Sequence, residues 1–582
     1  VKRVRTAAIA FGSLALVGLA GAMLQPHHGW RSLGRRMERA LVRAARAATE
    51  TTPITHPAGV PVDVRVTLRC DLPRHPISPL IYGIGVLPLH DGPESHEWRL
   101  GATARRWGGN HTSRYNWENG HAWNTGKDWF FENVDDGTPN ATPLDVRFVD
   151  DDLAHGLATA LTVPTLGWVA KDSRSYSFPV AVFGAQQATA PENADIGNGV
   201  RPDGTPVTPG GPERTSTALA PESVERWVRS IVARQASDGR RRVQMYILDN
   251  EPTLWSETHR DVHPRAVSYD ELLERTVSYA SAIRRADPGA VIAGPALWGW
   301  PAYFHSGIDQ AAHPAQPDQD AHEGLPLLPW WLRETARYEK RTGTRVADVV
   351  DVHFYPQGHG IGIGASGDTD PDTNARRLRA TRALWDPSYV DESWIAEPVR
   401  LVPRIREWIA KYHPGLGLSI GEYNFGAEGS MSGGLAVAEA LGRFGVLGLT
   451  AAYYWDYPAD RSPAFWAFRA FRDFDGHGAR FLDESVVSET AEPLVSVFAS
   501  GEGGGGHFVA VVLNRDPGAP MRADLNASTC GHLVETRAYS YTGGGGGLAP
   551  TPTDALDGQG HLRRTLPPYS ITVLDLQRRT GP

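Results

Sequence analysis

Tyr246-Ile247-Leu248-Asp249-Asn250-Glu251-Pro252 is a short apolar run that passes directly into Asn-Glu-Pro. It reads as a strand of a helix-covered parallel sheet, with Glu251 delivered to its carboxyl end. A second run, Leu418-Ser419-Ile420-Gly421-Glu422-Tyr423-Asn424, ends the same way on Glu422.

From residue 78 to 476 short apolar runs alternate with longer amphipathic segments, as successive βα units do. The expected strands are Leu80 to Val86, Ala102 to Gly108, Leu161 to Trp168, Val243 to Leu248, Ala290 to Ala296, Val346 to Tyr355, Leu416 to Tyr423 and Thr450 to Tyr457. Between them, Ser223 to Ala236, Tyr269 to Ala286, Trp330 to Arg341, Val399 to Tyr412 and Gly434 to Phe444 carry apolar residues at helical spacing. Eight such units predict an α/β fold, a (β/α)8 TIM barrel over 78–476. The connections Gly109 to Asp145, Val169 to Glu222 and Gln357 to Trp394 are too long for ordinary loops, and all leave carboxyl ends of strands, where barrels keep their active sites.

Beyond residue 476 the chain turns to short alternating runs between glycine-rich turns, which predicts a small antiparallel β-sandwich over 477–582. The lone strand Val62 to Leu68, within 62–77, has no place in the barrel count and is expected to pair in that sandwich. Cys70 and Cys530 would then lie in one domain, either bonded or as two buried thiols. Residues 1–25, basic at Lys2, Arg3 and Arg5 and then apolar, read as a signal peptide or an N-terminal membrane anchor; 26–61 read as a basic segment (Arg31 to Arg46) and a Thr/Pro linker. The expectation is a secreted, extracytoplasmic protein, held at a membrane only if the first segment is not cleaved. A net charge of −8 leaves no basic footprint for nucleic acid.

Hydrolysis of a glycosidic bond needs one carboxyl group to protonate the leaving oxygen and a second to attack or to activate water. Either glutamate alone reads as well as a helix cap; on strands four and seven together they read as a catalytic pair, Glu251 as acid/base and Glu422 as nucleophile. Asn250 is placed to bind the sugar hydroxyl beside the anomeric carbon. Arg106 and Trp107 end the second strand, His353 and Tyr355 the sixth, and Trp455 the eighth, and all five are read as substrate-binding residues. Tyr355, His353 or Arg106 would hold Glu422 ionised, and Trp455 would form a sugar platform. His259 and His263 have a metal-ligand spacing but read as structural, and Asp150-Asp151-Asp152 reads as a solvated helix start.

Arg105-Arg106-Trp107-Gly108-Gly109-Asn110, Tyr115-Asn116-Trp117-Glu118-Asn119, Val169-Ala170-Lys171-Asp172, the LDNEPTLW block Leu248 to Trp255, Thr258-His259, His263-Pro264, Leu384-Trp385-Asp386-Pro387 and Gly421-Glu422-Tyr423 together resemble glycoside hydrolase family 44, over residues 62 to 578. The resemblance implies a retaining endo-β-1,4-glucanase acting on cellulose derivatives and xyloglucan. It places Asn110, Tyr115, Asn116, Trp117, Trp385 and Trp455 along the substrate cleft. It implies a β-glucan substrate and no required cofactor, and allows a structural calcium for which no ligands are assigned; a monomer is expected. The Pro/Gly-rich loop Ala185 to Pro212 and the basic segment depart from the family's pattern. The rival readings are a retaining mannanase or xylanase on the same barrel and a non-catalytic polysaccharide-binding surface protein.

Overall fold

The computed structural model describes residues 54–86, 95–135, 142–363 and 367–579. The N-terminal expectations for 1–25 and Arg31 to Arg46 lie outside them. Among the described residues no helix is long and apolar enough to cross a membrane.

Eight parallel strands close into a barrel in the order Gly83–Val86, Ala104–Trp107, Ala158–Val163, Met245–Leu248, Ile292–Leu297, Val349–Phe354, Gly417–Tyr423 and Ala451–Tyr454. Alternation sorts their side chains: Ala104, Ala160, Met245, Ile247, Ala293 and Val349 pack together inside the barrel. Trp107, Leu161, Tyr246, Leu248 and Val350 face the helices instead. The third strand begins three residues before the expected Leu161 and ends at Val163, ahead of Pro164. Trp168, expected as its end, instead opens the short strand Trp168–Ala170, which pairs antiparallel with Ser216–Ala218.

The outer helices follow the expected segments. Tyr269–Ala286 starts on Ser268, whose hydroxyl accepts from the Glu271 amide, and carries Asp270 and Glu271 in its first turn and Arg284 and Arg285 in its last. Cap and charges both favour the helix dipole.

The C-terminal strands form one sheet that takes in Val62–Arg69, which lies between Glu484–Thr490 and Met521–Asn526. Val64, Val66 and Leu68 share a core with Phe508, Ala510 and Val512, so the sheet folds over into a sandwich. It is mixed rather than purely antiparallel: Val62–Arg69 runs parallel to Met521–Asn526, with Val62 opposite Met521. No hairpin joins those two strands, so nothing imposes an antiparallel sense. Cys70 and Cys530 are disulfide-bonded and tie the first strand to the turn Ser528–Cys530. Between the sandwich-facing residues of His507–Asn514, Val509, Val511 and Leu513 join the core around the barrel helices, which explains that strand's unbroken apolar run.

Candidate active site

Two local departures from regular strand geometry aim the glutamates. On the seventh strand Ser419 pairs with Asp351 and Ile420 with Val352, but the next partner of His353 is Glu422, leaving Gly421 as a bulge. Strict alternation would have turned Glu422 towards the helices; the extra residue turns it into the barrel mouth. A Cβ on Gly421 would lie 2.4 Å from Oδ2 of buried Asp351, so this position has room only for glycine. On the fourth strand Asp249 and Glu251 both take left-handed backbone angles, φ +63° and +46°. That turn brings Glu251 back over the mouth.

One oxygen of Glu251, one of Glu422 and a ring nitrogen of His353 lie within 4.8 Å of one another. Arg106 Nη1 donates to Glu422 Oε1 at 2.5 Å and Tyr355 Oη to Glu422 Oε2 at 2.7 Å. His353 Nδ1 stands 2.8 Å from Glu251 Oε1 and 3.4 Å from Glu422 Oε2. Arg106 Nη2 also lies 3.4 Å from His353 Nε2; burial works against the charged imidazole, but Glu422 and Glu251 outweigh it and raise the His353 pKa above the ordinary value. A divalent ion between these three side chains would face the Arg106 guanidinium already paired with Glu422.

The two carboxyl groups differ in environment. Burial pushes Glu251 above the usual carboxylate range, and the Glu422 charge adds to this against the pull of His353. Burial also acts on Glu422, but His353, Arg106 and Tyr355 outweigh it and hold the group below that range. One carboxyl therefore keeps its proton where the other has lost it.

Arg106 is itself anchored. Nη2 donates to Asn250 Oδ1 at 2.9 Å, Asn250 Nδ2 to Asn110 Oδ1 at 3.1 Å, and Asn110 Nδ2 to Asp128 at 3.1 and 3.2 Å. Gly108 leaves room for the guanidinium, since a Cβ there would lie 2.6 Å from Arg106 Nη1. At Gly109, φ +89°, a Cβ would meet the Trp455 ring at 2.7 Å, which places that half-buried ring across the mouth.

Thus the structure brings together Glu251, Glu422, Arg106, Asn250, Asn110, His353, Tyr355 and Trp455. Other implied cleft positions need correction. Trp107 is fully buried against Phe148 and Tyr115, because an inward Arg106 turns its neighbour outward. Tyr115 is buried with its hydroxyl on Asp145, and Asn116 is buried with its amide on the Ala170 carbonyl. Trp117 stacks on Trp227 and donates to Ser223. Trp385 lies under Arg443, which also covers Phe498 of the sandwich. Trp107, Tyr115 and Asn116 are thus buried braces rather than cleft residues, while Trp117 and Trp385 are half-buried.

His263 pairs with Glu271 and buried His259 packs against Gly126, so these histidines are structural. The acidic run falls late in the helix Leu144–Ala154, and Asp152 is buried against Arg105 and Thr159 rather than solvated. The sequence reading missed Asp249, which precedes Asn250 but takes its partners from two other loops, and Asp128, whose partner Asn110 lies in the same long connection.

A sequence model described as glycoside hydrolase family 44 matches residues 122–358. Endoglucanase A of Paenibacillus lautus is 30% identical over 564 residues, spanning 92% of this chain and 76% of that protein. Among solved structures, CelM2, a bifunctional glucanase-xylanase from a metagenome library, is 34% identical with a TM-score of 0.82, covering 89% of this chain and 99% of its own. The family 44 xyloglucanase of Paenibacillus polymyxa, solved with xyloglucan, is 27% identical with a TM-score of 0.74, covering 89% and 100%. These likenesses run through barrel and sandwich alike, so the chain belongs to glycoside hydrolase family 44 and is an endo-acting glycoside hydrolase of the endoglucanase type.

Proposed function

We propose that this enzyme cleaves internal β-1,4 linkages of glucan chains, xyloglucan and soluble cellulose derivatives among them, with net retention. The observation that carries the reading is the close approach of two unlike carboxyl groups, with oxygens within 4.8 Å. Retaining enzymes hold their carboxyl groups about 5–5.5 Å apart, whereas inverting enzymes leave about 6.5–9.5 Å for a water. Glu422, ionised beside Arg106 and Tyr355, attacks the anomeric carbon while protonated Glu251 gives its proton to the departing oxygen. Glu251, now a base, takes a proton from the water that releases the glycosyl ester from Glu422. One N–H of the Asn250 amide is given to Asn110, and the other remains for the sugar hydroxyl beside the reacting carbon.

The names of the relatives support glucan and xyloglucan as substrates, and the name of CelM2 adds xylan as a second polymer to test. The same reading puts the enzyme outside the cytoplasm, where the Cys70–Cys530 bond persists. Release of reducing ends from xyloglucan, carboxymethylcellulose and xylan tests it. Wild type is expected to act on the first two, and Glu251→Gln to lose about 10²–10⁴-fold on them, the usual worth of a general acid. Glu422→Gln should lose at least as much. Wild type that binds glucan but releases no reducing ends would leave a polysaccharide-binding protein instead.

A further inference from the structure

The Asp249 side chain lies below the mouth of the barrel, is fully buried, and touches no group in the mechanism above. Its carboxyl is nevertheless the most heavily bonded group of the turn that carries Glu251. Oδ1 accepts from Ser113 Oγ and, at 2.8 Å, from the Asn250 backbone N–H. Oδ2 accepts from the Thr165 amide, from Thr165 Oγ at 3.1 Å and from the Leu166 amide at 2.9 Å. The donors come from the loop after the second strand, the loop after the third, and the turn itself.

That turn needs holding. Left-handed angles at Asp249 and Glu251, one on each side of Asn250, are costly for side-chain-bearing residues. Two further bonds fix its far side: the Glu251 amide donates to the Ala296 carbonyl at 3.1 Å, and the Trp255 indole to the Asn250 carbonyl at 3.1 Å. Among the described residues, Asp249 is the side chain that ties its near side to both the loop at Ser113 and the loop at Thr165–Leu166.

We propose that Asp249 is a positioning residue that fixes where the Glu251 proton is delivered, by clamping the Asp249–Glu251 turn to the loops at Ser113 and Thr165–Leu166. This rests on the reading of Glu251 as the proton donor. Burial pushes the Asp249 carboxyl up against the pull of its donors. A proton on either oxygen would face an N–H or O–H that already donates there, so the carboxylate is the form that fits. Asp249→Asn keeps the shape but turns an NH2 towards one set of donors, and the turn must shift to relieve it. A shift of about 1 Å at a reacting group costs about 100-fold.

The leaving group separates this role from general damage. An oligosaccharide alkoxide needs a proton to depart; 2,4-dinitrophenolate does not. The experiment measures kcat/KM, which reports glycosyl-enzyme formation, on cellopentaose and on 2,4-dinitrophenyl β-cellobioside for wild type, Asp249→Asn and Glu251→Gln. Asp249→Asn is expected to lose about 100-fold on cellopentaose and to stay within a few-fold of wild type on the aryl glycoside. Equal losses on both substrates, or none on either, overturn the proposal. Glu251→Gln must show the same selectivity; if it does not, the proton-donor reading itself fails, whatever Asp249 does. Should Asp249→Asn not fold, Ser113→Ala removes one donor and keeps the carboxylate. It must then show a smaller loss confined to cellopentaose, and an equal effect on both substrates counts against the clamp.

Discussion

Glu422 and Glu251 carry the same functional group, and their surroundings divide the work between them. Arg106 and Tyr355 press donors onto Glu422, while Glu251 has only His353 and lies within reach of the Glu422 charge. Activity should therefore follow a bell-shaped pH profile. It falls on the acid side as Glu422 takes up a proton, below the usual carboxylate range, and on the alkaline side as Glu251 loses one, above that range. Tyr355→Phe removes a donor that favours the ionised form of Glu422, so its pKa rises and the acid limb moves to higher pH; a kcat/KM profile with an unmoved acid limb would contradict this. These residues were legible in the sequence because they stand at strand ends, where a polar side chain after an apolar run has one obvious destination. Trp107 was misread although the rule that decides it is simple: with Arg106 inside, the next residue of a strand faces out. Asp249 could not be read, because its meaning depends on which distant loops supply its partners, and Asp128 could not because only the fold of the long connection brings it back onto Asn110.

Among the elements, all eight barrel strands and the main helices could be found from apolar runs and their spacing, since burial on both faces leaves little else to write there. What the pattern could not show is register. The bulge at Gly421 leaves no compositional trace beyond a glycine, yet it decides which way Glu422 points. Pro164 explains why the third strand stops early, a signal the apolar run to Trp168 masked. The first strand, Val62–Arg69, sits inside the C-terminal sheet and is tethered there by Cys70–Cys530, bonded across a sequence separation of 460. Cys70→Ser should cost about 2–5 kcal/mol and lower the melting temperature, with reductant producing the same drop in wild type and none in the variant. A wild type indifferent to reductant would show that the bond contributes nothing to stability.

At the scale of the molecule, the sandwich is built into the catalytic barrel rather than appended to it. His507–Asn514 gives Phe508, Ala510 and Val512 to the sandwich core and Val509, Val511 and Leu513 to the barrel's helical layer. Arg443, between Trp385 and Phe498, spans the same seam. The sequence announced two layers by its change from helical to alternating periodicity, but the continuous apolar character of that one strand was the sign that both its faces are covered. This frame holds the strand ends, and the strand ends hold the two carboxyl groups close enough for direct attack on the sugar. Proton NMR of the first product released from a cello-oligosaccharide, followed before mutarotation, tests that claim most directly. The account predicts that the β-anomer appears first and the α-anomer only later; initial release of the α-anomer would mean inversion through a water and would contradict the assignment of Glu422 as the nucleophile.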